Sequence, residues 1–450
     1  MKKKFIFIIA AGLLFSFSNS KNDSGTANLK LHWKYELGKT THRSEIALFD
    51  NSLFIGSNGS HYMDYNMDEN NGVVELNRKT GNKIKAISNE QFGDMDVNGI
   101  IRFENSIIFG NDNDELLCYS KEGEMIWRLP TSGDVEHAPI LLNNTEFGAY
   151  VIFATETGEV RAINPKDGTT IWVHYNEQFN GWKLGDNRTI FKIKMHFTSG
   201  NIYFSKPAVA DLNQDGFKDL IYSSNREIIA INGKTGKKLW GIDKYLRRDQ
   251  LIYCKSDRET PNISGFGSKF KLTVAYYKRM KGGANDIIEI VQYDRKGKEI
   301  TSKQWTARNN SWGESLNHAE GFFITNGHVL KTDDLISYKL PYTGKYYNGE
   351  TGFRFYGDLQ IAEQKLKIDG EKCIGILFQN DLNVKDMSMF MIMGEDSKKI
   401  YLKSHIPGGS EFTPVIEDIN KDGKLDLLVS SWDNNLYCYD MDIPNASKTK

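Results

Sequence analysis

The chain has 450 residues and nearly balanced charge, with 57 lysines and arginines against 58 aspartates and glutamates and a formal net charge of -1. This balance creates no global field that would favour nucleic acid or an anionic membrane, so we expect neither as a partner. The 40 glycines, the many aromatic residues and the scarcity of long runs of helix formers are typical of an all-β chain rich in turns.

The amino terminus has the pattern of a secretory signal peptide. Lysines at positions 2–4 precede an apolar run from Phe5 to Phe17, and small residues follow. We predict that residues 1–20 are cleaved. An uncleaved membrane anchor is the alternative, although the run is shorter than the roughly 20 residues that span a bilayer. The first cysteine is Cys118, so no lipobox cysteine lies at the cleavage site. The residues after the cleavage site are rich in Lys, Asn and Ser, which is typical of a bacterial protein. We therefore predict a secreted or periplasmic protein.

A repeated pattern fills most of residues 44–306. Each copy is a strand, a tight turn, a strand with a small central residue, a Lys-x-Gly turn, and a final strand that in most copies ends in Trp. The turn glycines of the four clear copies are Gly81, Gly123, Gly168 and Gly236. Four residues after the glycine, the Trp can pack between neighbouring repeats, and Trp305 keeps a looser version. The pattern resembles the quinoprotein-like (PQQ-type) repeat, which implies a β-propeller.

A nine-residue pattern rich in aspartate occurs twice, each time between two strand-like runs. Oxygen side chains at positions 1, 3, 5 and 9, with Gly at position 6, can wrap a hard cation such as Ca²⁺. The predicted side-chain ligands are Asp211, Asn213, Asp215 and Asp219, and likewise Asp418, Asn420, Asp422 and Asp426. Phe217 and Lys424 would supply main-chain carbonyls. The pattern resembles the FG-GAP repeat of integrin-type propellers, which implies a β-propeller. We expect the cation to be structural and not catalytic, and an Asp/Asn-rich turn without metal is the alternative.

The two ends of the chain complement each other. Residues 427–440 supply the inner strands of a repeat without its last strand, and residues 29–38 read as that missing strand. We therefore predict a single β-propeller over residues 29–442, closed by pairing of the N- and C-terminal strands. It should have seven four-stranded blades, or eight if 316–405 contains two. Residues 21–28 would be a linker and 443–450 a C-terminal tail.

Topology divides the loops between two faces. Both acidic nonapeptides are turns between the first and second strands of a blade, whereas the insertions at 57–71 and 174–201 are a second-to-third hairpin and an inter-blade connection. Long loops on a rigid scaffold usually carry function, so we expect a partner on the inserted face. The candidate partner-binding residues are His61, Tyr62, Tyr65 and Trp182. Ordinary loop packing is the simpler explanation for each of these four residues. The aromatic stretch 342–356 could form a carbohydrate-binding platform, but packing in the core of a blade is the simpler explanation for it.

The function predicted from the sequence is a secreted or periplasmic, non-enzymatic binding or scaffold propeller stabilised by calcium. Its partner would be a protein or glycan of the cell envelope, and the chain would be a monomer. The alternatives are a PQQ-dependent oxidoreductase and a polysaccharide-binding or polysaccharide-active propeller. The resemblance implies a vicinal cysteine pair, and often a c-type haem motif, for the oxidoreductases. This sequence has neither, so PQQ is not expected. No nucleophile elbow, Walker loop or paired-carboxylate motif is present, and we assign no catalytic residue.

Two of the four cysteines occupy the same place in two repeats. Cys118 lies in the run Leu-Leu-Cys-Tyr and Cys438 in Leu-Tyr-Cys-Tyr. We expect both to be buried as small hydrophobic residues and not to form disulfides.

Overall fold

A computed structural model describes most of the chain in separate stretches. The described residues are 28–41, 43–60, 71–87, 95–175, 206–223, 227–243, 251–255, 261–265, 269–280, 287–306, 317–319, 322–325, 328–331, 337–339, 359–362, 364, 366–378, 387–396, 398–410 and 412–448. All 35 regular elements in these stretches are β-strands. The predicted all-β class is therefore confirmed.

The strands form small antiparallel sheets, which we number along the chain. The first strand, β1 (Leu29–Glu36), belongs to the last sheet. Sheet 1 contains β2 (Ile46–Leu48), β3 (Ser52–Asn58), β4 (Asn71–Asn77) and β5 (Lys83–Ile87). Sheet 2 contains β6 (Ile100–Phe103), β7 (Ser106–Asn111), β8 (Glu115–Ser120) and β9 (Met125–Pro130). Sheet 3 contains β10 (Ile140–Asn144), β11 (Gly148–Ala154), β12 (Glu159–Ile163) and β13 (Thr170–Tyr175). Sheet 4 contains β14 (Ala208–Ala210), β15 (Asp219–Ser223), β16 (Glu227–Ile231) and β17 (Lys238–Asp243).

The later sheets are less regular than the first four. Sheet 5 contains β18 (Leu251–Lys255), β19 (Asn262–Ser264), β20 (Lys271–Met280), β21 (Ile287–Tyr293) and β22 (Glu299–Thr306). Sheet 6 contains β23 (Asn317–Ala319), β24 (Phe322–Thr325), β25 (His328–Lys331) and β26 (Ser337–Lys339). Sheet 7 contains β27 (Leu359–Ile361), β28 (Leu366–Ile368), β29 (Glu371–Phe378), β30 (Met387–Gly394), β31 (Ile400–Pro407) and the late strand β35 (Ala446–Lys448). Sheet 8 contains β32 (Val415–Glu417), β33 (Asp426–Ser430), β34 (Asn435–Met441) and β1.

Sheet 8 closes the ring as the sequence predicts. β1 pairs antiparallel with β34 from Leu29 opposite Met441 to Glu36 opposite Asn435. The N-terminal strand is therefore the outermost strand of a sheet whose other three strands come from the end of the chain. This pairing covers the edge of β34 and confirms the closed β-propeller.

Hydrophobic clusters join successive sheets around the ring. The largest lies between sheets 7, 8 and 1 and includes Phe390, Leu427 and Leu53, all fully buried. Further clusters join sheets 1 and 2, sheets 2 and 3, sheets 3 and 4, and sheets 4 and 5. The core is therefore divided into wedges between neighbouring sheets, each buried by two faces.

The stretch 316–405, whose blade count the sequence left open, contains the four short strands of sheet 6, strands β27 to β30 of sheet 7 and most of β31. The described strands consequently group into eight sheets, which matches the alternative of eight blades; the count of seven treated this stretch as one blade. Within residues 443–450, predicted as a tail, β35 pairs with β28 at the edge of sheet 7.

The outermost strands carry the tryptophans that fasten one sheet to the next. The indole N–H groups of Trp33, Trp127, Trp172 and Trp240 donate to main-chain carbonyls in the Lys-x-Gly turn of the following sheet, at 2.9–3.0 Å. Each ring lies against the turn glycine, as Trp172 does against Gly236, where an added Cβ would come within 2.5 Å of the ring. Gly236 also has φ +69, so this position requires glycine for two reasons.

A β-bulge before each of these tryptophans turns one residue outward. In sheet 2, Cys118 pairs with Trp127 and Tyr119 with Met125, so Ile126 has no partner residue and is 49% exposed. In sheet 8, Trp33 pairs with Cys438 after the same shift. Both cysteines are buried and free, as expected, and each faces a tryptophan. The bulge interrupts the outer edge of the sheet, which discourages edge-to-edge association.

Candidate functional site

The antiparallel order places the loops on two faces of the ring. First-to-second turns and third-to-fourth turns lie on one, which we call the acidic-loop face because both nonapeptides are there. Second-to-third hairpins and the segments that join one sheet to the next lie on the other, the connector face. The predicted separation of the acidic loops from the two insertions therefore follows from the strand order.

The first nonapeptide is a tight turn between β14 and β15. The Asp211 carboxylate accepts the main-chain N–H groups of Asp215 and Gly216 at 3.2 and 3.1 Å. The Asp215 carboxylate accepts the N–H of Phe217 at 2.8 Å. Gln214 has φ 65, so the backbone turns through the left-handed region just before Gly216. These bonds define a loop that its own carboxylates hold together.

The second nonapeptide, between β32 and β33, repeats this geometry. The Asp418 carboxylate accepts the N–H groups of Asp422 and Gly423 at 3.0 and 3.1 Å, and Asp422 accepts the N–H of Lys424 at 2.8 Å. Lys421 has φ 63. Two distant segments of the chain therefore fold into the same turn, as their shared spacing predicts.

The ninth residue of the first loop is buried and fully bonded. Asp219 has no exposed surface. Its Oδ2 accepts the N–H of Leu212 at 2.8 Å, and its Oδ1 accepts the N–H of Gly233 at 3.0 Å and the side-chain amide of Asn232 at 3.2 Å. Burial raises the pKa of Asp219, and these hydrogen bonds oppose the rise.

The ninth residue of the second loop is bonded through one oxygen. Asp426 is also without exposed surface, and its Oδ2 accepts the N–H groups of Ile419 and Asn420 at 2.8 and 3.0 Å. Its Oδ1 has no hydrogen-bond partner among the described residues. Burial raises the pKa of Asp426 to about 6, with further contributions from Asp422 and Asp440.

The residues of both loops fit a hard cation in their donor chemistry. An N–H bond occupies one lone pair of a carboxylate oxygen, so the second lone pair stays available for a metal. Over the described stretches, no three or more His, Cys, Asp or Glu side chains are arranged as a ready metal shell. Calcium at Asp211 to Asp219 and at Asp418 to Asp426 therefore stays a prediction, supported by the buried oxygen of Asp426.

On the connector face, the joining segments are bound to the hairpins by main-chain hydrogen bonds. The N–H of Thr131 donates to the carbonyl of Asp114 at 2.9 Å, and the N–H of Glu156 to that of Asp134 at 3.0 Å. The N–H of Trp432 donates to the carbonyl of Gly409 at 2.7 Å. Segments from different sheets thus form one hydrogen-bonded surface.

Ion pairs connect sheets that are not neighbours in the ring. Arg43, in the segment before sheet 1, pairs with Glu136 before sheet 3, and Glu45 pairs with Lys206 before sheet 4. Since these segments lead into the first, innermost strands, the pairs lie near the centre of the ring on the connector face. Charged side chains therefore link segments of sheets 1, 3 and 4 there.

A partly buried carboxyl group, Asp134, and a buried imidazole, His137, lie beside these pairs. Burial raises the pKa of Asp134 to about 10, and nearby carboxylates, chiefly Asp112 and Glu156, add to the effect. Burial lowers the pKa of His137 to about 4; its Nδ1 lies 2.8 Å from the carbonyl of Ala138. Burial and the nearby carboxylates therefore favour the uncharged form of Asp134, and burial favours the uncharged form of His137.

The predicted partner-binding residues His61, Tyr62, Tyr65 and Trp182 lie outside the described residues, as does the aromatic stretch 342–356. Sequence reasoning missed the roles of Asn232 and Asp440 beside the acidic loops, and of the ion pairs across the ring. The roles of Asn232 and Asp440 could have been found by aligning the strands that follow the two nonapeptides. The ion pairs join residues too far apart in sequence to leave such a signal.

Comparison with known proteins agrees with the fold. A family profile described as outer membrane protein assembly factor BamB matches residues 69–241, less than half of the chain. The structure of BamB from Moraxella catarrhalis is 12% identical, covers 92% of this chain and 99% of its own, and superposes with a TM-score of 0.50. Sqt1 from Saccharomyces cerevisiae is 10% identical over 92% of this chain and 99% of its own, with a TM-score of 0.54.

The Dos1 propeller is 10% identical over 92% of this chain and 95% of its own, with a TM-score of 0.55. Identities this low establish the propeller fold alone. No curated protein matches the sequence. In the part of the chain that the structure describes, no helix is long and apolar enough to cross a membrane.

Proposed function

Because this chain is a β-propeller with quinoprotein-type repeats, we propose that it is a non-enzymatic binding or scaffold protein of the bacterial cell envelope. The match over residues 69–241 to a family described as an outer membrane assembly factor supports an envelope role. The signal-like residues 1–20 support export to the periplasm or the outside. The proposed partner is an envelope protein, with an envelope glycan as the alternative, and the proposed oligomeric state is a monomer.

The proposed binding surface is the connector face. The observation that carries this proposal is the main-chain bonding between joining segments and hairpins, which makes a rigid surface from several sheets. A pre-formed surface binds without the entropic cost of ordering its loops. Both long insertions, including His61, Tyr62, Tyr65 and Trp182, branch from this face in sequence.

Site-specific photo-crosslinking in the native bacterium tests this assignment. A photoreactive residue at Asn113 or at Glu156, both on the connector face, should give a discrete crosslinked product with a partner. The matched control is Lys166, an exposed residue on the acidic-loop face. Crosslinked products from Lys166 and none from the two connector-face positions would place the partner on the acidic-loop face and refute this assignment. Turnover of an alcohol or aldose by protein loaded with PQQ and calcium would favour the oxidoreductase instead.

We also propose that calcium stabilises the propeller through its acidic loops. A cation that binds the folded chain and not the unfolded chain raises stability by mass action, by about 2.7 kcal/mol at a hundredfold excess over Kd. Chelator-stripped protein should therefore melt at a higher temperature after addition of millimolar calcium. Equal melting temperatures with and without calcium would refute this part of the proposal.

A further inference from the structure

The two acidic loops share their turn but differ in the residue beside the ninth carboxylate. Strand register identifies these two residues. Leu220 pairs with Ile231 in sheet 4, and Leu427 pairs with Tyr439 in sheet 8. The next residues along β16 and β34 are Asn232 and Asp440, which therefore occupy the same place. The first loop thus has an amide where the second has a carboxylate.

In the first loop, the amide and its neighbour complete the bonding of the carboxylates. The side-chain amide of Asn232 lies 3.2 Å from both Asp219 Oδ1 and Asp215 Oδ2, and donates to them. The N–H of Gly233 donates to Asp219 Oδ1 as well. With Leu212 on Oδ2, both oxygens of the buried carboxylate are hydrogen-bonded by the protein itself.

In the second loop, both donors to this oxygen are missing. An ionised Asp440 carboxylate has no hydrogen to donate, and the N–H of Met441, equivalent to Gly233, donates to the carbonyl of Leu425 at 3.2 Å. Asp426 Oδ1 is left without a partner in the described structure, in a residue with no exposed surface. An unsatisfied buried carboxylate oxygen is costly, so something outside the chain should satisfy it.

The second loop also concentrates more negative charge. Asp440 joins Asp418, Asp422 and Asp426, which gives four carboxylates where the first loop has three. The neighbouring Arg78 guanidinium donates to the main-chain carbonyls of residues 418 and 419 and leaves these carboxylates to other partners. His32 Nδ1 lies 3.3 Å from Asp440. A divalent cation with oxygen preference suits both the charge and the unsatisfied oxygen.

We propose that calcium binds the second loop and not the first, and that Asp426 Oδ1 and Asp440 both contribute to its site. This inference rests on the calcium stabilisation proposed above and restricts it to one of the two loops. The first loop is a turn completed by Asn232, which does the work of the cation there. The repeated motif therefore has one metal-dependent copy and one metal-independent copy.

The test is calcium titration of chelator-stripped full-length protein by calorimetry, together with its melting temperature. The wild type should bind one calcium per chain. Asp440→Asn supplies the amide found in the first loop, so calcium should bind at least tenfold more weakly, while the calcium-free protein melts higher than the calcium-free wild type. The matched variant Asn232→Asp gives the first loop a carboxylate, and it should bind a second calcium.

The outcomes separate this inference from the proposed function. Two calcium ions per wild-type chain, or loss of binding in Asp219→Asn but not in Asp426→Asn, would overturn the one-loop assignment and leave calcium stabilisation intact. Unchanged affinity in Asp440→Asn would remove Asp440 from the site. No binding by the wild type would refute both the inference and the calcium part of the proposed function.

Discussion

At one junction, a lysine replaces the tryptophan that joins neighbouring sheets. Between sheets 1 and 2, the Lys85 ammonium donates to the carbonyl of Lys121, where an indole N–H donates at four other junctions. The partner across the strand changes with it, because Lys85 pairs with Glu75 whereas Trp172 pairs with Ala162. Lys85 and Glu75 also form an ion pair at 3.3 Å. This junction therefore has two charged side chains where sheet 3 has a large aromatic residue paired with a small one.

This exchange predicts strong coupling between the two positions. Lys85→Trp alone should lower the melting temperature, because the indole meets the buried Glu75 and leaves its carboxylate unpaired. The double variant Glu75→Ala, Lys85→Trp recreates the pair of sheet 3 and should melt above the wild type. Thermal unfolding of the two single variants and the double variant measures the coupling, expected to be about 1–3 kcal/mol. Additive effects would contradict this account.

The same junctions predict the cost of losing an indole. Trp172→Ala removes a buried ring, its contact with Gly236 and its hydrogen bond to Gly233, and should destabilise the protein by about 3–5 kcal/mol. Denaturant unfolding measures this loss. Ile126→Ala, at an exposed bulge in sheet 2, is the control and should cost far less. Equal losses at the two positions would show that the indole is not what joins the sheets.

His137 predicts a loss of stability in acid. Its folded pKa of about 4 lies below the ordinary value of 6.5, so the unfolded chain binds the proton more readily between these values. This contribution is complete above pH 6.5 and is lost as the pH falls to about 4, on the order of 3 kcal/mol. Lys206 and Arg43 also disfavour the charged ring.

Melting temperatures at pH 8 and pH 5 measure this effect. The fall between the two should be smaller in His137→Gln than in the wild type, since glutamine does not titrate. A fall of the same size in both proteins would show that His137 is not responsible.

Among the elements, β1 has the clearest individual role, because it is the outer strand of a sheet made by the other end of the chain. Deleting residues 29–36 should expose the edge of β34 and leave the space occupied by the buried Trp33 empty. We expect aggregation or loss of cooperative unfolding, measured by light scattering and calorimetry. Leu31→Ser, at a 48% exposed position of the same strand, should behave as the wild type. A monomeric deletion variant with an unchanged melting temperature would contradict this role.

How far the elements can be predicted depends on how regular the repeat is. Sheets 2 to 4 follow from the spacing between turn glycine and tryptophan, sheet 1 from its turn glycine, and the closing strand from Trp33, since each of these tryptophans lies against the turn glycine of the next sheet. Sheet 6 lacks that signal, and its strands of three or four residues leave little periodicity to detect. The acidic turns were predictable from their spacing. The contrast between Asn232 and Asp440 was not predictable from the motif, because these residues lie outside it and reach it only through strand pairing.

For the whole molecule, the shared wedges predict a single unfolding transition. The cluster around Phe390, Leu427 and Leu53 belongs to three sheets at once, so none of these sheets can unfold without exposing the others. Calorimetry of the wild type should show one peak, and Trp33→Ala and Trp172→Ala should each shift the whole peak. A second, separate peak in either variant would show that sheets unfold independently.

The pairing of β1 with β34 also determines how the ring responds to mechanical force. Because Leu29 lies opposite Met441, the N-terminal and C-terminal segments of the chain leave this strand pair at the same end. Tension between the termini would first detach β35 and then break the bonds of β1 and β34 one after another, as a zipper opens, and not all together in shear. Tension between the N-terminus and a point at Asn435, the opposite end of β34, would load the same bonds in parallel. The closed ring should therefore be weak against stretching from its own ends and strong against stretching along the seam.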